Sequence, residues 1–86
     1  MYVDAPDMLS IVDPQWQRKI HICTSGSKSA IVWNPWTEKT KTFNDMAADG
    51  WQRMVCVETA NVLGDVVTLA PEEMHVLALS VWAEAI

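Results

Sequence analysis

Glu58 closes the run Met54-Val55-Cys56-Val57-Glu58. A carboxylate on an otherwise apolar strand is costly unless it is paired, hydrogen-bonded or reactive. Strand alternation puts Glu58 on one face with Met54 and Cys56, and Arg53 on the other. The chemistry such a group offers is proton removal. The alternative is a strand-end glutamate reaching solvent beside Thr59 and Asn61. His21 and His75 are the other proton carriers, but neither lies in a motif with a serine, cysteine or carboxylate, and each reads as a surface or satisfied residue. Cys23 and Cys56 are the only cysteines, both in apolar runs and without CxxC spacing. They read as reduced core residues of a cytoplasmic protein. Two scattered cysteines and two scattered histidines do not make a ligand set, so neither a metal nor a cofactor is expected. Ser25-Gly26-Ser27-Lys28-Ser29 lacks phosphate-loop spacing and reads as a polar hairpin turn. Trp16, Trp33, Trp36, Trp51 and Trp82 are many for so short a chain. Indoles stack on the apolar faces of sugars, and they also fill cores and interfaces.

These residues must be positioned by a single small domain spanning the 86 residues. Half of the residues are hydrophobic, which excludes intrinsic disorder. The formal charge of −5 argues against nucleic acid, whose phosphates need clustered Lys and Arg. No apolar run reaches the roughly 18–20 residues of a membrane span, so no membrane partner is expected. A chain this short buries only about 60–65% of its unfolded surface, so an isolated monomer is marginal.

Met8 to Val12 reads as a strand stopped by Asp13-Pro14. Residues 18–24 alternate, with Ile20 and Ile22 on one face and Lys19 and His21 on the other. With 30–33 they form the best hairpin candidate. Asn34-Pro35 ends the second of these strands. Residues 36–50 read as an excursion with at most one helical turn, followed by strands at 53–58 and 66–69. Residues 71–83 fit either a helix opened by Pro71 or an alternating strand, and local propensity favours the helix slightly.

The blocks Ile31-Val32-Trp33-Asn34-Pro35-Trp36-Thr37-Glu38-Lys39 and Trp51 to Asn61, with Ile11-Val12-Asp13-Pro14 and Val67 to Glu72 in the same order, resemble the hexose-6-phosphate mutarotases of the aldose 1-epimerase family. The similarity covers nearly the whole chain and corresponds to the last third of a family member. It implies an all-β fold, an antiparallel β-sandwich that is a partial version of the galactose-mutarotase-like supersandwich. It also tips residues 75–81 toward a strand. By resemblance Glu58 is the general base that takes the anomeric hydroxyl proton, while a histidine acid protonates the ring oxygen. An apolar setting that raises the pKa of Glu58 would serve that role. Trp33 and Asn34 are the nearest motif residues to line a sugar or sugar-phosphate pocket.

The family's histidines, second acidic residue and phosphate-holding arginines lie upstream of the matching region, and neither His21 nor His75 maps onto them. The resulting expectation is a β-domain without epimerase activity of its own that serves as a binding or assembly module. The alternative is a hexose phosphate 1-epimerase whose missing groups come from another chain. Open strand edges and an uncovered apolar face imply a homodimer or higher homo-oligomer.

Overall fold

A computed structural model describes residues 1–86. Five strands form in chain order: β1 (Met8–Asp13), β2 (Arg18–Ser25), β3 (Ser29–Trp33), β4 (Cys56–Ala60) and β5 (Ala78–Ala85). One helical turn, α1 (Trp36–Thr40), and two 3-10 turns, Gly50–Arg53 and Leu63–Asp65, lie in the connections. All strand pairing is antiparallel, in a three-stranded sheet ordered β1-β2-β5 and a two-stranded sheet of β3 and β4. The architecture is therefore all-β, as expected, and the excursion after Trp36 holds its single helical turn. No helix is long and apolar enough to cross a membrane.

The alternation in β2 dictates the first sheet. Residues directly opposite one another share a face. Ile20 and Ile22 thus stand with Ile11 and Leu9 of β1, and with Ala83 and Val81 of β5. On the other face Ser10, His21 and Trp82 lie in one row, with Lys19 opposite Glu84. The true hairpin is β1–β2. Its four-residue loop is turned by Pro14 and closed by the Asp13–Arg18 pair at 3.0 Å. Gln17 takes the left-handed conformation there, with φ 51°, and its N–H donates to the Pro14 carbonyl.

Four expectations change. Residues 18–24 and 30–33 do not form a hairpin, because β2 already has β1 and β5 on its two edges and β3 pairs with β4 instead. The stretch at 53–58 begins as a 3-10 turn ending at Arg53, and the strand starts only at Cys56. Residues 66–69 form no strand: Leu63 turns the chain with φ 52°, and no neighbouring strand accepts the segment. The ambiguous 71–83 region resolves as the strand β5, which starts later than expected, at Ala78, because its partners on β2 begin opposite Ser25. Tertiary pairing outweighs the helix propensity of its alanines and leucines.

The crossing from β2 to β3 is held by hydrogen bonds. The Lys28 N–H donates to the Asp65 carboxylate at 2.8 Å, and the Ser29 hydroxyl donates to the same oxygen. The Ser27 hydroxyl donates to the Ala60 carbonyl. Asn61 Nδ2 and His75 Nε2 both donate to the Gly26 carbonyl, at 2.9 and 2.8 Å. The serine-rich stretch is therefore a polar knot between the two sheets rather than a hairpin turn. Donation from Ser29 and Lys28 holds the Asp65 carboxyl below the usual range.

The apolar faces of the two sheets look toward each other across unfilled space. Ile11 and Ile20 share an open groove of about 880 Å³ with Met54 and Val55. Leu9 shares a smaller hollow of about 290 Å³ with Ala30 and Val32. Only Ile22 and Ala30 form a buried apolar core. The radius of gyration is 15.8 Å, against roughly 12 Å for a compact domain of this length.

Gly26 adopts φ 77°, and a Cβ there would lie 2.0 Å from the Val76 carbonyl oxygen. Gly26→Ala is expected to lower stability by about 1–3 kcal/mol from backbone strain alone, with the clash added. Urea unfolding of the two proteins under matched conditions measures this, and equal midpoints would contradict it.

Candidate functional site

Glu58 sits in the middle of β4, opposite Ile31 of β3. Ala30 and Val32 turn toward Leu9 and the first sheet, so alternation sends Ile31, Trp33 and Glu58 to the outer face of the small sheet. Trp33 faces Cys56, which makes the indole and the Glu58 carboxylate diagonal neighbours on that face. Glu58 is exposed and makes no hydrogen bond or ion pair, so the apolar enclosure expected around it is not formed.

The Asn34 amide is held within the chain. Its Nδ2 donates to the Trp51 carbonyl at 2.7 Å and to the Met54 carbonyl at 2.8 Å, and its Oδ1 accepts the Trp36 N–H at 2.8 Å. Both amide hydrogens and the carbonyl are thereby engaged within the chain. The last acceptance is an Asx turn, which holds Trp36 at φ 61° at the start of α1. Asn34 staples both ends of the segment that leads into β4 to the end of β3, and so sets where Glu58 stands. Removing such partly buried bonds typically costs about 1–3 kcal/mol. The Trp36 and Trp51 rings pack beside this staple with centroids 4.3 Å apart.

Both arginines and His75 are engaged elsewhere. Arg53 is not on the strand; it pairs with Asp49 at 2.9 Å, and donation from the guanidinium lowers the Asp49 carboxyl. Arg18 pairs with Asp13 and lies 5.1 Å from the centre of the exposed Trp16 ring. His75 is bound to the Gly26 carbonyl.

His21 belongs to a constellation that neither its neighbours nor any motif announced. Its Nδ1 lies 2.9 Å from the Ser10 hydroxyl, and its Nε2 lies 2.9 Å from Glu84 Oε1. The carboxylate only accepts, so Nε2 carries a proton and donates. The imidazole also stacks on Trp82, with centroids 5.3 Å apart. Ser10, His21 and Glu84 thus form one hydrogen-bonded chain across three strands and clamp β5 to β2. The contacts span 11 and 63 positions in sequence, a separation local pattern does not reveal. The detectable signal was the polar face of β2, which needed partners on both sides. No group of His, Cys, Asp and Glu side chains has the arrangement of a metal site.

The aldose 1-epimerase family profile matches residues 1–82, and the chain belongs to that family. It is 34% identical over 73 residues to a provisionally named glucose-6-phosphate 1-epimerase of Cenchrus ciliaris, covering 85% of this chain and 22% of that protein. A Haemophilus influenzae protein with the same provisional name is 35% identical over 52 residues, 60% of this chain and 18% of its own length. The chain thus spans about a fifth of the length of these curated relatives. No solved structure matches significantly.

Donation from His21 holds the Glu84 carboxyl below its ordinary value of 4.5. A depressed carboxylate contributes stability above its unfolded pKa and loses it as the pH falls through the lower folded value. Amide protection in β5 is therefore expected to hold from neutral pH to about 4.5 and to decline below it. Hydrogen exchange along a pH series measures this. An identical decline in Glu84→Gln would assign the effect to other groups.

Proposed function

We propose that this chain is a binding and assembly module of the aldose 1-epimerase family, without epimerase activity on its own. The observation that carries the reading is the isolation of Glu58. The carboxylate is exposed and unpartnered, while His21 is held by Ser10 and Glu84 and His75 by the Gly26 carbonyl. Anomer exchange needs a base and an acid on opposite sides of the acetal carbon. This chain brings no acid to its base. Both arginines are committed to Asp13 and Asp49, and a net charge of −5 repels an anionic ligand. Asn34 serves the site by positioning Glu58, and Trp33 offers the stacking surface for a sugar ring. Cys23 and Cys56, both free and in separate sheets, suit a cytoplasmic setting.

The second reading is a hexose phosphate 1-epimerase completed by another chain. The shared outer face of Trp33 and Glu58 favours it, because it sets a sugar-stacking ring beside the family's base position. Two-dimensional exchange NMR of glucose 6-phosphate separates the two readings. The 86-residue protein is expected to leave anomer exchange at the buffer rate, with Glu58→Gln indistinguishable from it. Exchange well above background that is lost in Glu58→Gln would establish the enzyme instead.

A further inference from the structure

The three-stranded sheet has two open edges, β1 and β5, and they are not alike. On β1, Leu9 and Ile11 are half-buried, and Asp13 closes one end of the strand. All eight residues of β5 are exposed, with Leu79, Val81 and Trp82 each about half open to water. Natural edge strands are usually guarded by lysine, proline, a bulge or short length. Ala78-Leu79-Ser80-Val81-Trp82-Ala83-Glu84-Ala85 has no lysine and no proline, and its one charge is drawn inward to His21. Such an edge is a template for another strand.

The surface area says how much must be covered. The accessible surface is 6499 Å², about 1,400 Å² more than the roughly 5,100 Å² expected of a closed monomer of this mass. A standard interface takes about 800 Å² from each partner. The surplus on one chain exceeds what a stable dimer requires.

We infer that two copies of this chain join β5 to β5 about a two-fold axis, making a continuous six-stranded sheet ordered β1-β2-β5-β5-β2-β1. The inference rests on the assembly reading above and adds its geometry. The axis must stand perpendicular to the sheet, because only that symmetry pairs two identical strands antiparallel within one sheet. Opposed residues share a face, so a residue of one copy meets a residue of the same parity in the other. Leu79, Val81 and Ala83 of both copies therefore join the apolar face that carries Ile20 and Ile22. Ser80, Trp82 and Glu84 of both copies fall on the face of His21. The axis then passes midway between the two copies of a single residue near the strand centre, and that residue faces its own copy.

Three measurements on the 86-residue chain test this. Sedimentation at micromolar concentration is expected to give twice 9.6 kDa. In the unmodified protein, hydrogen exchange is expected to protect consecutive amides of β5, because alternate N–H groups that point away from β2 now donate to the second copy. With Cys23 and Cys56 changed to Ala, single cysteines placed in turn at positions 79–84 are expected to cross-link at one central position, with yield falling on both sides. Val81→Lys, which installs the missing edge guard, is expected to weaken association at least tenfold. A monomer would overturn the assembly reading and this geometry together. A dimer whose β5 keeps alternate amides unprotected, or cross-links evenly along the strand, would overturn the β5 geometry and leave assembly standing.

Discussion

The central strand β2 is the constraint on which the rest depends. It is paired on both edges, with β5 along its whole length and with β1 from Arg18 to Cys23, and it supplies Ile22, the largest side chain of the small buried core. Its alternation separates an apolar face, turned toward the second sheet, from a polar face that carries His21. Once β2 is fixed, β1 follows through a tight hairpin. β5 follows through a clamp that reaches back from the far end of the chain, where Glu84 meets His21. Remove β2 and no remaining pairing connects β1 with β5.

Burial alone does not hold the two sheets together. The space between them is groove rather than core, and the connections are instead carried by polar groups. The Ser27, Ser29 and Asp65 knot fixes the crossing from β2 to β3, and Asn34 fixes the approach to β4. This arrangement orders strands locally while leaving apolar surface uncovered. It also leaves Glu58, the base in the proposed reading, without a finished site around it. Asn34 and the β3–β4 register place Glu58 beside Trp33, but nothing in the chain closes over them.

Much of this was legible in the residues, for physical reasons that differ by element. Met8 to Val12 and the Ile20-His21-Ile22 alternation announced β1 and β2, because a half-buried strand writes its two faces into every second residue. A helical turn was expected somewhere between Trp36 and Gly50, but its place directly after Pro35 was not. Nor was the identity of the strand partners. The serine-glycine stretch between β2 and β3 looks like a hairpin turn until one sees that both edges of β2 are taken. Residues 71–83 carry helix-forming alanines and leucines over an alternating pattern, and only the partner row on β2 decides between them. At the site, Glu58 stood out as a carboxylate in an apolar run, whereas the staple role of Asn34 depends on the Trp51 and Met54 carbonyls, which no sequence pattern displays. Ser10, His21 and Glu84 were invisible as a group for the same reason: each is ordinary in its own neighbourhood.

On the proposed assembly, folding and association are linked, since a chain that leaves this much surface open would gain stability from the copy that covers it. The concentration dependence of the thermal unfolding midpoint tests that linkage most directly. The midpoint is expected to rise steadily as protein concentration is raised from the micromolar range upward. A cooperative transition whose midpoint is the same at every concentration would contradict the account, because it would mean that one chain alone completes the fold.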